Sequence, residues 1–596
     1  MEAMRRLAAA LKLKQSGALD EALSELEQAT RRDPTFAEGH HQLGNIFKSM
    51  GRFREAADSL GKAAVLAPDN AVVFLNLGVA LLEIRALREA ADCFGIAVKL
   101  EPGRPEAHNI LGHVLGLLGR CTEAIASLEM AMRLRPGYAA PLDNLGRALS
   151  AQGRADEAIS RYREALRILP SPSTHSNLLY SLNLVANDPS VVRSEHENWG
   201  RLHGQAMPLC GSSPRPPRVE GRRLRVGYVS PDFVDHSVAY FIGPILANHD
   251  RDRVEVFCYS SAKVPDLVTR RLRGLSENWR DISRLSDGAA AGLIAGDGID
   301  LLVDLSGHTG ESRLLIFARK PAPVQVTWIG YPNTTGLAAM DYRLTDAVSD
   351  PPGMTDVQYT EELIRLPDTF SCYEPCEGSP PVGPLPAAAT GIVTFGCFNN
   401  FAKVRPEMLD LWGAILAGIP GSRLFLKSSG FADPHTCERV ANRFRTLGVE
   451  PERISFDFAA RTPPEHLRLY HKVDIALDTY PYNGATTTCE ALWMGVPVVT
   501  LAGTTHASRV GASFLGQVGL DSCVTAGASA YRAACSRLAA DIPRLAALRS
   551  ELRERMQSST LCDGARFTRR LEETYARLTE RTARQCAETP SAPALA

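Results

Sequence analysis

Five prolines repeat at an interval of 34 residues in the first part of this chain. They are Pro34, Pro68, Pro102, Pro136 and Pro170. Two series of alanines and one series of Leu-Gly pairs keep the same interval, beginning at Ala22, Ala29 and Leu43. A fixed period of this length predicts a stack of similar structural units. It divides the chain into a repeat region and a remainder that must be interpreted separately.

Each unit is expected to be a pair of antiparallel helices, with small residues where the helices cross and proline where the second helix stops. The pattern resembles that of tetratricopeptide (TPR) repeats, which usually bind peptides, and about five units fit into 1–170. Gly51, Gly119 and Gly153 mark the turn inside three units. Arg85 stands at that place in the third unit, so we predict a different turn geometry there.

Composition excludes several classes of protein. The 596 residues carry a net charge of −1, which indicates neither a nucleic-acid partner nor an anionic membrane. The 13 cysteines have no framework spacing, and this favours reduced thiols in a cytoplasmic protein. We expect no membrane span and no signal peptide. We also expect no metal site, because the sequence has no His/Cys cluster at ligand spacing.

Beyond the repeats, apolar strand-like runs alternate with helix-like segments, which is typical of parallel sheets. The fold class that we predict is therefore an α-solenoid of TPR repeats followed by two Rossmann-like α/β domains. The predicted segments are TPR repeats at 1–170, capping helices and a Pro-rich linker at 171–221, a first α/β half at 222–375, a second Pro-rich linker at 376–390, a second half at 391–560, a C-terminal helix at 561–585 and a disordered tail at 586–596. Ligands of such sheets bind at the carboxyl ends of the strands.

The segment 478–503 contains the most specific pattern in the second half. A strand ends, a Gly-containing turn follows, and a helix begins at Thr486, Thr487 and Thr488. Free backbone N–H groups and the helix dipole at such a place attract phosphate, and the hydroxyls add donors. Glu490 could hold the two hydroxyls of a ribose. The alternative is that the threonines only cap a helix and that Glu490 only complements its dipole.

Asn399, Asn400 and Lys403 follow the first strand of the second half, again at a carboxyl end. A lysine there can neutralise a diphosphate leaving group. The alternative is a solvated surface lysine, which is the commoner fate of this residue type.

In the first half, Asp232, Asp235 and His236 follow the first strand and could accept a proton from an incoming hydroxyl. His308 lies at another strand end and, with Asp235, is a candidate to line the cleft between the halves. His466 begins a helix in the second half, where it could stack on a base or could simply start the helix.

Together these segments resemble the O-linked GlcNAc transferase and SPINDLY family, in particular its bacterial TPR-containing protein O-GlcNAc transferases. The resemblance covers nearly the whole chain and includes the motifs RVGYVSPDF, CFNNFAK and TTTCEALWMGVPVVTLAG. It implies a GT-B fold, and an inverting transfer that needs no metal or cofactor, from UDP-GlcNAc to Ser or Thr hydroxyls of proteins held partly in the TPR groove. Nothing in the sequence fixes an oligomeric state.

By motif position, the resemblance makes His236 the active-site histidine and Lys403 the residue that contacts the diphosphate. It assigns Asn400 to the neighbouring amide position, His466 to packing on the base, Thr486 and Thr487 to phosphate, and Glu490 to ribose. In the repeats, Asn76 and Asn144 keep the asparagine that precedes Leu-Gly and contacts peptide.

The chain also departs from the animal members of this family. Ala485 replaces a histidine, and Glu490 replaces an aspartate, at positions that touch the nucleotide. Both resemble the SPINDLY branch, whose plant members use GDP-fucose. The donor therefore has alternatives in GDP-fucose and UDP-glucose, and a catalytically inactive TPR scaffold is a second class of alternative.

Overall fold

We describe a computed structural model of the chain, in which residues 1–185, 188–204 and 221–588 are described. The chain forms two compact units. The repeat unit comprises Met1–Pro170 together with Ala432–His435, and the α/β unit comprises Ser171–Phe431 and the chain from Thr436 onward. Each unit is described by itself below.

The repeat unit consists of five helix pairs. The helices are α1 (Glu2–Gln15), α2 (Leu19–Arg32), α3 (Ala37–Ser49), α4 (Phe53–Leu66), α5 (Ala71–Glu83), α6 (Leu87–Leu100), α7 (Pro105–Leu117), α8 (Cys121–Leu134), α9 (Ala139–Ala151) and α10 (Ala155–Ile168). Consecutive helices pack on each other along the whole series. The periodic alanines such as Ala22 and Ala29 are fully buried at these contacts.

Glycine in the Leu-Gly pairs has a packing reason. A Cβ atom on Gly44 would lie 2.5 Å from Leu60 Cγ, and one on Gly146 would lie 2.5 Å from the Tyr162 ring. Both distances are too short for real contacts, so only glycine lets the two helices of a unit approach this closely.

The turn of the third unit corrects one prediction. Arg85 adopts a left-handed conformation with φ of 63°, close to the 71° of Gly51 and the 75° of Gly119. The prediction of a different geometry was wrong, because the stacked helices impose the same turn on a residue with a side chain. The strain is about 1 kcal/mol.

The α/β unit begins with two helices that precede its first sheet. Its helices are α11 (Pro172–Leu182), α12 (Pro189–Trp199), α13 (Ala239–Asn248), α14 (Leu267–Leu275), α15 (Asp287–Gly296), α16 (Leu314–Phe317), α17 (Pro386–Thr390), α18 (Pro406–Gly418), α19 (Pro434–Thr446), α20 (Pro463–Arg468), α21 (Thr486–Trp493), α22 (Val510–Gln517), α23 (Ala528–Ala540), α24 (Ile542–Gln557) and α25 (Gly564–Glu588).

Two parallel sheets form the centres of the two halves of this unit. The strands are β1 (Leu224–Ser230), β2 (Val254–Ser260), β3 (Asn278–Asp281), β4 (Leu301–Asp304), β5 (Val324–Thr327), β6 (Tyr342–Asp346) and β7 (Glu362–Leu366) in the first half, and β8 (Thr394–Cys397), β9 (Arg423–Lys427), β10 (Ile454–Asp457), β11 (Ile475–Leu477), β12 (Val498–Leu501) and β13 (Val524–Thr525) in the second.

The two sheets share one doubly wound topology. Their orders are β3-β2-β1-β4-β5-β6-β7 and β10-β9-β8-β11-β12-β13, and every pairing is parallel. In both sheets the chain reverses its winding direction beside the first strand, which is where ligands of such sheets bind. The predicted solenoid followed by two parallel-sheet α/β domains is confirmed.

Helix α25 follows the second half in sequence but packs on the first. Its side chains Phe567, Leu571 and Tyr575 belong to the same buried cluster as strands β1, β2 and β4. The Glu572 carboxylate also accepts a hydrogen bond from His249 Nδ1 at 2.8 Å, inside that core. The first half is therefore completed by residues from the far end of the described chain.

Buried polar contacts join the two halves. The His506 ring lies 2.7 Å from the Asp350 carboxylate, measured from Nδ1 to Oδ2, and both side chains are almost fully buried. Burial opposes ionisation of Asp350, but the neighbouring His506 outweighs it and lowers the pKa of the carboxyl. Ser513 Oγ donates to Asp346 Oδ2 at 2.6 Å beside this pair. These contacts therefore hold the first and second halves of the α/β unit together.

Parts of the predicted linkers and tail lie outside the described residues. The Pro-rich stretch that begins at Pro208 falls within 205–220, and the final residues of the predicted tail fall within 589–596; neither is described. The second predicted linker, 376–390, includes the short helix α17. No helix in the described part of the chain is both long enough and apolar enough to cross a membrane.

Candidate functional site

Lys403 lies in the turn that follows the central strand β8. Its ammonium Nζ donates a hydrogen bond to the Asn483 carbonyl at 3.1 Å and sits 3.9 Å from the centre of the Tyr482 ring. Burial lowers the pKa of Lys403 to about 8, and the nearby Asp478 carboxylate acts against this shift. Asn400 begins the turn, because its Oδ1 accepts from the Ala402 N–H at 3.1 Å, and its side chain is exposed.

Asp478, at the end of the neighbouring strand β11, organises the loop beside Lys403. Its Oδ1 accepts from the Gly484 N–H at 2.7 Å, and its Oδ2 accepts from Thr500 Oγ1 at 2.7 Å. Burial raises the pKa of Asp478 to about 6 against the hydrogen bonds and Lys403, which lower it. A negative charge at this depth therefore depends on its hydrogen-bond donors.

The three threonines at the start of α21 have different surroundings. Thr487 Oγ1 donates to Asn399 Oδ1 at 2.7 Å, and Thr488 Oγ1 donates to the Gly484 carbonyl at 2.8 Å. The Thr486 side chain is partly exposed, and its hydroxyl has no protein partner among the described residues. The N–H groups of the first helical turn together with Thr486 provide donors for an anion.

The start of this helix approaches its neighbours closely at Gly484. A Cβ atom on Gly484 would lie 2.5 Å from Asn399 Oδ1 and closer still to Thr487 Oγ1. The backbone of the turn thus lies directly against the two side chains that connect β8 to α21.

Glu490 and His466 lie together one helical turn beyond Thr486, and Glu490 is on the same face of α21 as Thr486 because the two are four residues apart. His466 Nε2 is 3.1 Å from Glu490 Oε2, and Tyr470 OH donates to the same oxygen at 3.4 Å. Each of the two paired side chains is 14% exposed. The His466 Nδ1 atom is buried and has no hydrogen-bond partner. The residues predicted to contact ribose and base are therefore neighbours, with unused hydrogen-bonding capacity.

The edge of the first half carries the second group of predicted residues. His236 is exposed, and its Nδ1 accepts from the Val238 N–H at 3.3 Å and lies 3.6 Å from Asp232 Oδ1. Burial raises the pKa of Asp232, and His236 acts against that shift. Asp235 is exposed and accepts a hydrogen bond from Tyr240 OH at 3.5 Å.

Tyr240 connects this edge to the second half. Burial raises the pKa of its phenol, and the carboxylates of Asp235 and Glu490 add to the shift. Tyr240 also packs against the buried cluster of the second half that contains Phe398 and Tyr470, so one tyrosine contacts both Asp235 and the second half.

His308 does not lie on this open edge. It is 1% exposed, its Nδ1 is 3.0 Å from Ser176 Oγ, and its Nε2 donates to the Thr335 carbonyl at 2.8 Å. Its ring also packs at 4.7 Å from that of Trp199. Both ring nitrogens are used inside the protein, so in this structure His308 belongs to a buried cluster and not to a cleft lining.

In the repeat unit, the two predicted groove asparagines form hydrogen bonds between neighbouring repeats. Asn76 Nδ2 donates to His41 Nε2 at 2.9 Å, and its Oδ1 accepts from Lys48 at 2.7 Å. Asn144 Nδ2 donates to Asn109 Oδ1 at 3.0 Å. Both are partly exposed, and a cavity beside Asn144 is lined by His113.

The structure thus brings Lys403, Asn400, Thr486, Thr487 and Thr488 to one edge of the second sheet. Tyr482 and Asp478 are also in contact with this group, although the sequence did not single them out. Their signal was position, since both lie in the motif that precedes α21. In the described ranges 1–185, 188–204 and 221–588, no three His, Cys, Asp or Glu side chains are grouped as they would be to hold a metal ion.

A comparison with protein-family models covers the part of the chain that contains these residues. The family model for Glycosyl transferase family 41 matches residues 166–374 and 385–571, which is more than half of the chain. The chain belongs to glycosyl transferase family 41. Residues 2–195 separately match the model of the cilia and flagella-associated protein 70 C-terminal domain, which is a similarity of the repeat region.

Curated relatives match about two thirds of the chain. The SPINDLY protein of Solanum lycopersicum, named as a probable UDP-N-acetylglucosamine–peptide N-acetylglucosaminyltransferase, is 43% identical over 412 residues. This match spans 67% of the chain described here but only 43% of the length of the SPINDLY protein. The SEC protein of Arabidopsis thaliana is 35% identical over 377 residues, which is 60% of this chain and 38% of that protein.

Among solved structures, a mutant O-GlcNAc transferase of Thermobaculum terrenum matches with a TM-score of 0.81 and 37% identity. The match covers 87% of this chain and 98% of that one. It confirms the predicted GT-B arrangement of a TPR region and two Rossmann-like halves. The SPINDLY relatives are plant proteins, so the comparisons support the family without assigning the chain to a bacterial branch.

Proposed function

We propose that this family 41 chain is a protein O-glycosyltransferase that moves a sugar from a nucleotide sugar to Ser or Thr hydroxyls of proteins. The observation that carries the proposal is the position of the Lys403 ammonium, at the end of the central strand and beside the start of α21. A half-buried cation next to free helix N–H groups suits a diphosphate.

The donor would lie on the second half. Its diphosphate would accept hydrogen bonds from Lys403, Thr486 and the first N–H groups of α21. The ribose hydroxyls would reach Glu490, and the base would pack against His466. These two side chains bond to each other at 3.1 Å, so donor binding would exchange one hydrogen bond for others.

Transfer would proceed by direct displacement at the anomeric carbon. The acceptor oxygen forms the new bond on the face opposite the diphosphate, and the bond to the diphosphate breaks with its electron pair leaving on oxygen. This inverts the anomeric configuration. Lys403 and the α21 start stabilise the negative charge that develops on the leaving group.

The acceptor hydroxyl would be met by the edge of the first half. Its proton passes to a proton acceptor there, where Asp232 and His236 lie 3.6 Å apart. Because Nδ1 accepts from the Val238 N–H, a neutral His236 ring would carry its proton on Nε2. In that form His236 orients an oxygen by donating to it, and Asp232 is the group that takes the proton.

We propose that the reaction needs no metal ion or cofactor. Lys403 and the helix N-terminus supply the positive charge that a divalent cation would otherwise provide. Chelators are therefore expected to leave turnover unchanged.

We place the reaction in the cytoplasm, because the cysteines within the described residues are free thiols.

Peptide acceptors would be gathered by the groove of the repeat unit. Asn76 and Asn144 are partly exposed, and their amides would bond to an extended peptide backbone in addition to the neighbouring repeats. A segment bound there is tethered to the transferase half and meets it at a raised effective concentration.

UDP-GlcNAc is the donor that we propose, because the curated relatives' names specify it. A second donor is favoured by a specific observation: the chain is 43% identical to SPINDLY and 35% to SEC, and Ala485 and Glu490 follow the SPINDLY pattern. GDP-fucose is therefore the alternative to UDP-GlcNAc.

The deciding experiment is a thermal-shift panel with UDP-GlcNAc, UDP-glucose, GDP-fucose, UDP and GDP, followed by transfer to peptide with the ligand that binds. A ligand that binds the native state raises the melting temperature. Stabilisation by uridine nucleotides supports UDP-GlcNAc or UDP-glucose, and stabilisation by guanosine nucleotides alone supports a fucosyl donor. Stabilisation by none of the five would contradict the proposal and leave a TPR scaffold as the better function.

A further inference from the structure

Tyr482 forms one wall of the Lys403 environment. The lysine Nζ lies 3.9 Å from the centre of the Tyr482 ring, well inside the range in which a cation is attracted to an aromatic face. The same ammonium donates to the carbonyl of the next residue, Asn483, at 3.1 Å. In the described part of the chain its other N–H bonds have no protein acceptor.

The Tyr482 ring also packs against a second aromatic ring. Its centre lies 6.0 Å from that of the Tyr180 ring in α11, with an angle of 47° between the planes. Burial raises the pKa of the Tyr482 phenol, Tyr180 and Tyr331 add to that shift, and Arg343 opposes it. These side chains belong to α11 and to the first half, so the ring reaches from the diphosphate edge of the second half into the packing of the first.

This arrangement matters because the ammonium group of an isolated lysine side chain has no fixed orientation. Its ammonium is a compact charge on a flexible four-carbon stem with rotating donors. The Asn483 carbonyl fixes one donor, and the ring face covers one side of the ammonium. The donors that remain can turn only toward the open side, where an anion would bind.

We propose that Tyr482 is a positioning residue, whose ring face holds the Lys403 ammonium charged and oriented toward the diphosphate of the bound nucleotide sugar. The inference rests on the proposed function, since it assigns Lys403 to the leaving group. It adds a residue whose proposed role is exerted through the Lys403 ammonium.

The inference has a direction in pH. The titratable groups that act on Lys403 are the Asp478 carboxyl and the Cys397 thiol. Burial raises the pKa of Cys397 to about 12, so between about pH 7 and about pH 9.5 only the Asp478 carboxylate favours the charged lysine. The ring face also favours the charged form, because its attraction is for a cation. Removing the ring therefore lowers the pKa of Lys403, and the interactions that need its charge are lost at a lower pH.

The test is the affinity for UDP and for GDP, measured by calorimetry between about pH 7 and about pH 9.5 on the full chain. The variants are Tyr482→Phe, which keeps the ring, and Tyr482→Leu and Tyr482→Met, which remove it. Lys403→Ala identifies the alkaline loss of affinity that belongs to this lysine, because that part of the profile flattens in the variant.

We expect Tyr482→Phe to follow the wild type. In both non-aromatic variants the alkaline loss of affinity should begin roughly 0.5 to 1.5 pH units lower, as loss of one cation–π contact implies. Turnover should fall with it, while the KM of the peptide acceptor stays unchanged. Two non-aromatic replacements are used so that a folding defect in one leaves the other to decide.

Two results overturn the inference, and they are distinguishable. If Lys403→Ala flattens the profile but both non-aromatic variants titrate like the wild type, Tyr482 does not position the lysine and the proposed function stands. If Lys403→Ala keeps full affinity and turnover, the proposed function fails and the role of Tyr482 fails with it.

Discussion

Asp304 in the first half and Asp478 in the second occupy equivalent places. Each ends the strand that neighbours the first strand of its sheet, β4 beside β1 and β11 beside β8. Asp304 accepts from the Gly307 N–H at 2.9 Å and from Thr327 Oγ1 at 2.9 Å. Asp478 makes the same pair of bonds with Gly484 and Thr500. Burial raises the pKa of both carboxyls to about 6.

The difference lies in what surrounds the two acidic turns. Asp478 faces Lys403, and its turn leads into α21 with a partly exposed threonine. Asp304 has Glu361 as its charged neighbour, and its turn leads to His308, whose ring nitrogens are both bonded within the protein. A similar aspartate-anchored turn thus leaves hydrogen-bond donors open in the second half and forms a sealed core in the first half, where both nitrogens of the His308 ring are bonded.

The largest effect should come from removing Lys403, the cation that is present beside the Asp478 turn and, among the described residues, missing beside the Asp304 turn. Lys403→Met should lower kcat by about 10²- to 10³-fold, because the leaving group loses its main charge partner. Lys472→Met is the matched control, since Lys472 also lies over a ring, that of Phe425, but is exposed. Steady-state kinetics with equal melting temperatures would confirm the contrast, and near-normal turnover in Lys403→Met would contradict it.

Neutralising the two acids should separate stability from binding. A raised folded pKa means that the native state holds the proton more tightly than the unfolded chain, so this contribution to stability falls as pH rises from about 4 to about 6. Asp304→Asn and Asp478→Asn should each remove part of that slope. Only Asp478→Asn should also weaken donor binding, by about 10-fold, because it frees the Gly484 turn and Lys403.

Melting temperatures across that pH window, together with donor titrations at neutral pH, measure both quantities. Equal loss of donor affinity in the two asparagine variants would show that the acids act through overall stability alone.

The two glycines that donate to these acids should respond differently to a methyl group. Gly484→Ala presses on the ends of the Thr487 and Asn399 side chains, which can move, so donor affinity should fall by roughly 10-fold with little change in melting temperature. Gly307→Ala meets the fixed Cβ of Tyr331 and keeps a φ of 53°, so it should lower stability by about 2 kcal/mol or more. Unchanged donor affinity in Gly484→Ala would refute the close-approach argument.

The smallest effect concerns the threonines. Thr486→Val should weaken donor binding by about 3- to 10-fold without changing stability, because its hydroxyl has no described protein partner to lose. Thr488→Val should cost about 1 kcal/mol of stability, because its buried hydroxyl bonds to the Gly484 carbonyl. Titration and thermal melting of the two variants form the comparison, and reversed results would exchange the two assignments.

Sequence patterns predicted most of the sheets because apolar runs mark strands that are buried on both faces. The patterns missed four strands, β3, β6, β7 and β13. The sequence of β3, NWRD, is mainly polar, and β6 carries the buried Arg343. Arg343 donates to the Asn333 carbonyl at 2.9 Å and lies over the Tyr359 ring. These compensations are tertiary contacts, so a local pattern cannot reveal them.

The candidate site likewise has features that the sequence predicts and features that it does not. Lys403 and the threonines could be found from their places after a strand and before a helix, since those places fix where backbone donors point. The contact between Lys403 and Tyr482 depends on a loop folding back, and the sealed state of His308 depends on Ser176 and Trp199 from distant helices. Residue type and strand order alone do not contain that information.

The return of α25 to the first half has a consequence for synthesis in the cell. Phe567, Leu571 and Tyr575 complete a core whose strands begin at Leu224, and the second half is translated in between. A ribosome adds about 5 to 20 residues each second, so the first half waits tens of seconds with part of its apolar surface uncovered. Chaperones that shield such surface should therefore associate with the nascent chain until α25 has emerged.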